Sequence, residues 1–426
     1  MSNQTVQTLK GFRDFLPAEK RKRDYVAAKI KATFELYGFE PLETPTLEYA
    51  SLLLGKYGAE ADKLVYTFQD RGDRMVGLRY DQTVPTARVL AQYQNELPKY
   101  FRRYQIQNVF RADKPQQGRY REFTQCDCDV LGSTSPIADA ELLAVYYAVY
   151  KNLGLTSIEI QVNNRQDIKN LLNAFDTFPM SAEDSNSFLQ SMDKLDKVSE
   201  AEVIEELVTI KKFPRDQVVA LIENLKERAT SDNMSTELKE IIEVAVQLGV
   251  PRTAIKYNPF MVRGLDYYTG LIFEGRIPEY TVGSVGGGGR YDNLINDLAG
   301  IDMPAVGFGI GFDRTVEAAD QQGLVPTAGT GTQVMVTIFD ETFVETSALI
   351  AQRLRQAGVT TELYPSVDKL AKQFKVANQK QITFVIVVGA DEQAADKVQL
   401  KNMSSGEQEL VSLEEAVVKL KKSSSN

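Results

Sequence analysis

Over residues 18–38, Tyr25, Val26, Ile30, Phe34 and Tyr37 recur at helical spacing between charged positions. The run stops at Gly38, which predicts an amphipathic helix. Short runs of strand character follow at 64–69, 74–80, 104–110 and 119–131. The turn residues Arg71-Gly72-Asp73 separate the first two, and connections this short predict antiparallel pairing. The helical period returns over 137–154, closed by Gly154, and Ser157–Asn163 reads as another strand.

From about 168 to 253 the chain is rich in Glu, Lys, Leu, Asp and Ser, with helical periods at Val203–Ile210 and Leu238–Gln247. This predicts a helical insertion. Strand-like, glycine-rich sequence resumes at Tyr257 and runs to about 314, and 323–332 has linker composition. Beyond it strands (Val334–Ile338, Thr360–Leu363, Thr383–Val388) alternate with helices (343–357, 367–379, 413–422), the rhythm of a small α/β domain with parallel pairs. The predicted fold class is α+β. An antiparallel body at 1–167 and 254–322 is interrupted by the insertion at 168–253. The linker at 323–332 then leads to the α/β domain at 333–426.

At 426 residues the chain exceeds the roughly 250–300 that one core supports, in keeping with several domains. No apolar run approaches the ~20 residues of a membrane span. The first residues lack an apolar signal core, so a soluble, cytoplasmic protein is expected, with no membrane partner. The only cysteines, Cys126 and Cys128, are too close in sequence to staple a fold. There is no histidine. That excludes Ser-His-Asp and Cys-His nucleophilic sites and the common tetrahedral zinc sites. It also leaves no side chain that titrates near pH 6.5 at its ordinary pKa. The net charge of −9 argues against a bulk nucleic-acid coat, though not against a local basic patch.

Three clusters carry candidate chemistry. The first runs from Phe110 to Asp129, two strands around a Pro/Gly loop. With a period of two, Phe123, Gln125, Asp127 and Asp129 share one strand face, and Cys126, Cys128 and Val130 the other. An aromatic, an amide and carboxylates suit a binding surface, and Arg111, Arg119 and Arg121 suit phosphate. A solvated strand face with surface arginines would satisfy the same pattern. The second is Arg263-Gly-Leu-Asp-Tyr267-Tyr268-Thr-Gly270, equally compatible with a core strand. The third comprises Gly286–Gly289 with Arg290-Tyr291-Asp292, then Gly307-Phe-Gly-Ile-Gly311-Phe-Asp-Arg314. It lacks the G-K-[ST] of a phosphate-binding P-loop and the G-x-G-x-x-G setting of a dinucleotide site. Paired carboxylates alone also admit glycoside hydrolysis, without support from any raised-pKa environment. Lys369, Lys372 and Lys375 fall along one helix side and suit either solvent or phosphate.

Taken together, FRxxxPQxGRYREFxQ, RGLDYYTG, GGGGRYDxL and GFGIGFDR resemble the histidyl-tRNA synthetases, a family of class II aminoacyl-tRNA synthetases. The resemblance spans nearly the whole chain. It implies an antiparallel-sheet class II catalytic domain with a helical insertion, plus a C-terminal α/β anticodon-binding domain. It implies a homodimer formed through Tyr37–Pro45. The implied activity is ATP-dependent ligation of L-histidine to histidine tRNA through histidyl-adenylate, with ATP and Mg²⁺ as cofactors and no protein metal site.

Carried across, Arg111 and Arg263 are the catalytic cations. Arg111, Arg119 and Arg314 hold ATP phosphates, and Phe123 stacks on adenine. Asp81 and Thr83 bind the substrate amino group, and Gln125 and Arg263 flank its carboxylate. Asp129 and Tyr268 hold the imidazole, Tyr267 lies beside them, and Tyr291 closes the pocket. Lys114 and Gln116 fall in the tRNA-acceptor loop. Asp81 and Asp129 are shorter than the Glu of many bacterial members, and Thr124 stands where many carry His. A paralogue that regulates ATP phosphoribosyltransferase is the alternative; it typically lacks the anticodon domain and degrades the RGLDYY segment. A plain acyl-adenylate ligase without tRNA is a further rival, against which the C-terminal domain argues.

Overall fold

A computed structural model describes residues 6–55, 62–115, 118–168, 198–228, 234–261, 267–326 and 331–423, with scattered positions between 181 and 195. The chain forms two compact units. One is Met1–Asp14 with Arg23–Val325, the other Phe15–Lys22 with Pro326–Asn426.

The first unit is built on strands β1 (Glu40–Pro41), β2 (Leu47–Tyr49), β3 (Thr67–Gln69), β4 (Met75–Leu78), β5 (Phe101–Phe110), β6 (Glu122–Leu131), β7 (Glu159–Asn164), β8 (Ile255–Tyr257), β9 (Leu271–Arg276), β10 (Gly286–Arg290) and β11 (Ala305–Gly311). Eight form one sheet in the order β1-β5-β6-β11-β10-β9-β7-β8. The outermost pairs, β1–β5 and β7–β8, are parallel and the inner five antiparallel. β2, β4 and β3 make a small antiparallel sheet.

One face of the large sheet is the core. Cys126, Cys128, Val130, Phe273, Val306, Phe308 and Ile310 lie on it, covered by helix α1 (Pro17–Leu36) through Val26, Ile30 and Phe34. Helix α3 (Pro136–Asn152) lies in the same core and is buried nearly all round. Ser135 caps it by accepting the Ile137 N–H, and Pro136 occupies the first turn, where its missing N–H costs nothing. Tyr146 packs edge-on to Phe273 and Phe308, with ring centroids 5.3 and 5.1 Å apart, a favourable aromatic geometry.

Two elements depart from the sequence pattern. Helix α2 (Thr83–Tyr93) was not signalled, because Thr-Val-Pro-Thr reads as a break. Pro85 sits in its first turn, where proline is tolerated. The helix Thr236–Gln247 is amphipathic as expected, but Leu238, Ile241, Ile242 and Ala245 pack into the main core rather than a separate insertion core. The separate cluster lies on Phe188, Met192, Val203, Leu207, Phe213, Val218, Leu221 and Ile222. Periodicity reports that a helix has an apolar face, not which core covers it.

The second unit holds β12 (Val334–Val336), β13 (Thr361–Leu363), β14 (Phe384–Val387), β15 (Val398–Asn402) and β16 (Gln408–Val411), in the order β13-β12-β14-β15-β16. β12 is parallel to both neighbours, and β14–β15–β16 are antiparallel. The closing hairpin was not expected; it turns through Gly406 at φ +78°. Helices Val344–Gln356, Leu370–Gln379 and Leu413–Ser423 complete the unit. Lys369 precedes its helix as the cap, and Lys372 pairs with Asp368 at 2.9 Å on the exposed surface, so the three lysines are not one helical stripe.

Candidate active site

The second face of the large sheet is polar, and strand register explains it. Opposite Gln125, Asp127 and Asp129 on β6 stand Gln107, Gln105 and Arg103 on β5. On the other side stand Gly311, Gly309 and Gly307 on β11, and Gly309 and Gly307 are followed by Gly287 and Gly289 on β10. The result is a row of long polar side chains beside a floor of bare backbone. The glycines are needed there. A Cβ at Gly307 would fall inside the contact radius of Asp129 Oδ1. At Gly309 it would lie 2.9 Å from Asp127 Oδ1 and 3.2 Å from Gln125 Nε2, and at Gly289 2.9 Å from the Tyr268 ring. Glycine richness that is weak evidence as a motif becomes specific once paired with these partners.

Arg103 anchors this face. It is fully buried, its Nη2 lies 2.7 Å from Asp129 Oδ2, and its Nη1 donates to Gln105 Oε1 at 3.1 Å. Burial works against its charge, and the nearby Asp129 and Asp127 carboxylates outweigh that, holding it protonated. Tyr291 donates its hydroxyl to Asp129 Oδ1. Burial raises the Asp129 pKa, with Arg103 and Tyr291 opposing the rise. Asp127, 6% exposed, is pushed by burial up to about 8; Asp129 and Asp81 add to the rise, Arg103 and Arg111 oppose it. Burial thus moves one carboxyl of this histidine-free chain far from its ordinary range, a shift that composition does not report.

Asp81, Tyr267 and Tyr268, also expected at an amino-acid site, lie near this face. Asp81 lies within electrostatic reach of Asp127 and Asp129, and its Oδ1 accepts the Val84 N–H at 3.1 Å. Thr83 opens α2 and is half-buried. Buried Gln82 donates to the carbonyls of Gln107 and Gln125 at 3.2 and 2.9 Å, locking the start of α2 to the sheet. Tyr267 lies tilted against Tyr268 with ring centroids 4.7 Å apart and edge-on to Tyr291 at 5.9 Å, forming an aromatic wall.

Beside the polar face opens a cavity of about 380 Å³ whose lining includes Arg111, Arg119, Phe123 and Arg314, the expected ATP residues. Arg111 joins the two regions. Its Nε donates to the Tyr80 carbonyl at 3.1 Å and its Nη2 to Gln125 Oε1 at 3.4 Å, and its guanidinium lies 5.1 Å from the Phe123 ring centre. Arg314 donates to the Ser284 carbonyl at 2.8 Å, and exposed Arg119 faces Asp113 at 3.8 Å. Arg121 instead braces the loop by donating to the Asp113 carbonyl at 3.0 Å. Lys114 is exposed on that loop. Arg263 and Gln116 lie outside the described residues.

Sequence reasoning missed Arg103, Gln82 and a partly buried cluster in which Arg13 and Arg23 both hold Asp313 Oδ1 at 2.6 Å. Only long-range register and packing bring these together. Asp127 was placed on the right face by strand alternation but given no role.

The family model for histidyl-tRNA synthetase matches residues 11–314, and that for an anticodon binding domain matches 333–423. The histidine–tRNA ligase of Wolinella succinogenes is 37% identical, covering 97% of this chain and 97% of that one. The histidine–tRNA ligase of Phocaeicola vulgatus is 37% identical over 96% of this chain and 98% of its own length. The crystal structure of histidyl-tRNA synthetase from Nostoc sp. PCC 7120 superposes with a TM-score of 0.82 at 30% identity, covering 98% of this chain and 99% of that one. A Bacillus halodurans structure described as an ATP phosphoribosyltransferase regulatory subunit/histidyl-tRNA synthetase is 23% identical with a TM-score of 0.72, covers 91% of this chain and 99% of that one, and shares the fold alone. Matched along both its units, the chain belongs to the histidyl-tRNA synthetase family.

Proposed function

We propose that this chain activates L-histidine with Mg-ATP and transfers it to histidine tRNA. The observation that carries this reading is the bridge at Arg111, one guanidinium that lines the arginine-rich cavity and touches Gln125 on the polar face. ATP lies in the cavity, its adenine against Phe123 and its phosphates against Arg111, Arg119 and Arg314. Histidine lies on the glycine floor. Asp81, Thr83 and Gln125 hold its amino-acid end, and Asp129, Tyr267, Tyr268 and Tyr291 enclose its ring. The two reacting groups then meet at Arg111, and the family resemblance gives Arg263 the part of second catalytic cation.

A carboxylate oxygen of histidine attacks the α-phosphorus, and the bond to the bridging oxygen of pyrophosphate breaks. Fixed arginine forks stabilise the charge that develops there, so no enzyme base is required. A ribose hydroxyl at the tRNA terminus then attacks the activated carbonyl, and AMP leaves. Mg²⁺ enters as part of Mg-ATP. Among the described residues no group of three or more acidic side chains is placed to hold a resident ion, and Asp313 in the cavity wall is held by Arg13 and Arg23. The unit that carries the anticodon-domain match binds the tRNA, with Lys114 and Gln116 near the acceptor end. The division into a catalytic body, a helical insertion and this unit is part of the same reading.

The working form is a homodimer in the cytoplasm. Exposed Leu47 and Tyr49 follow Tyr37–Pro45 in sequence, and exposed Phe68 and Met75 add apolar surface on the same small sheet. Among the described residues no helix is long and apolar enough to cross a membrane. Histidine-dependent exchange of pyrophosphate into ATP tests the first step. Exchange with histidine that disappears in Arg111→Ala is expected, and exchange that survives this change removes Arg111 from the reaction.

A further inference from the structure

The family resemblance assigns no role to Asp127, yet this residue holds a central position on the polar face. Register sets it between Gln125 and Asp129, directly across from Gly309. Its side chain is more than nine-tenths buried, and Oδ1 has no hydrogen-bond partner. That oxygen lies 2.9 Å from where a Cβ on Gly309 would stand, so it projects over the bare floor rather than into packed side chains. An orphaned buried carboxylate oxygen is costly unless something met in use satisfies it.

The charges around it say what that is. Arg103 on β5 faces both carboxylates but makes its 2.7 Å pair with Asp129. Asp81, ahead of α2, adds a further negative charge, and Arg111 beyond β5 is turned to Gln125 and the Tyr80 carbonyl. Cys126 and Cys128 flank Asp127 in sequence and are buried on the opposite face. Among the described residues the pocket sets three carboxylates, Asp81, Asp127 and Asp129, against two cations, Arg103 and Arg111, and is short of one positive charge. It is short of it between Gln125 and Asp129, midway between the proposed carboxylate and ring ends of the substrate.

Resting on the proposed function, we propose that Asp127, together with Asp81, receives the α-ammonium group of the amino-acid substrate. An ammonium group over Gly309 supplies both the missing hydrogen bond to Oδ1 and the missing charge. Without it Asp127 keeps a proton, in keeping with burial pushing its carboxyl up to about 8. With it the carboxylate form is favoured, so binding expels a proton. The sign is fixed: expulsion occurs below about pH 8 and fades as the pH rises through that value, where Asp127 is already ionised.

The test is calorimetric titration of the full-length protein with histidine and with its des-amino analogue, 3-(imidazol-4-yl)propanoate, in two buffers of different ionisation enthalpy. The analogue keeps the ring and the carboxylate and lacks only the ammonium group. At pH 7 the wild type should release more protons with histidine than with the analogue, and the excess should vanish above pH 8. Asp127→Asn keeps the shape but cannot take the negative charge. It should weaken histidine at least tenfold, leave the analogue within about twofold, and abolish the excess proton release. Wild-type protein that binds histidine with no excess release overturns the assignment without need of the variant. So does a variant that keeps wild-type histidine affinity, or one that loses both ligands equally. Wild-type protein that binds no histidine at all overturns the proposed function instead.

Discussion

Gly307→Ala adds one methyl group at the point where the floor meets Asp129. β11 and β6 are in register there, and the new Cβ would overlap Asp129 Oδ1 and crowd its Cβ, 3.1 Å away. Backbone on both strands is fixed by the sheet, so the Asp129 side chain must turn. Turning it breaks the hydrogen bond from Tyr291 and the 2.7 Å pair with fully buried Arg103. Overpacking alone costs about 1–3 kcal/mol. Leaving a buried charge without its partner costs about 3–5 kcal/mol. A loss of at least about 3 kcal/mol from the first unit is expected, the point where the two ranges meet. The functional effect is confined to one substrate, because Arg111, Arg119, Phe123 and Arg314 stand around the separate cavity. KM for histidine in pyrophosphate exchange should rise at least tenfold, about 1.4 kcal/mol, and KM for ATP should hold within about twofold. Scanning calorimetry should show the lower stability in the first unit's transition only. Gly331→Ala is the control, since nothing lies within 4 Å of a Cβ there. Wild-type stability and histidine KM in Gly307→Ala would refute the account of the glycine floor.

Asp129→Ala should raise KM for histidine at least tenfold and leave KM for ATP nearly unchanged, as loss of a bond to a charged group costs about 1.5–3 kcal/mol; steady-state exchange kinetics read both. Arg263→Ala should lower kcat for adenylate formation by roughly 10²–10³ with a smaller effect on histidine binding, and a change confined to KM would make it a uniform-binding residue. The acid limb of kcat/KM for histidine should report Asp127, whose pKa of about 8 must be passed for the carboxylate to form. The rate constant should fall as the pH drops below that value, and the limb should stay in place when histidine is replaced by an analogue of lower ring pKa. A limb that moves with the analogue assigns the titration to the substrate.

Composition alone does not supply this last prediction, and the reason shows where the sequence stops being legible. An unperturbed carboxyl titrates far below neutrality, and only burial among other carboxylates moves Asp127. Strand alternation was enough to put Phe123, Gln125, Asp127 and Asp129 on one face and the buried thiols of Cys126 and Cys128 behind them. It could not say that Arg103 stands across from Asp129 on β5. Arg102 and Arg103 are adjacent in the sequence of β5; one pairs with Glu141 at the partly exposed edge and the other is fully buried. Which arginine goes inside depends on pairing Arg103 with Asp129, a contact set by register. The same limit hid the Arg13–Asp313–Arg23 cluster, whose arginines lie 300 and 290 positions from Asp313 in the chain. Helix α2 was hidden for a local reason, since proline and β-branched residues dominate its first turn.

Charging of purified histidine tRNA by the intact protein, with ATP and each of the twenty amino acids in turn, tests the central claim most directly. The account predicts that histidine alone is attached, that attachment requires ATP, and that Asp129→Ala loses it at low histidine concentration. Attachment of a different amino acid, or adenylate formation with histidine and no transfer to tRNA, would contradict it.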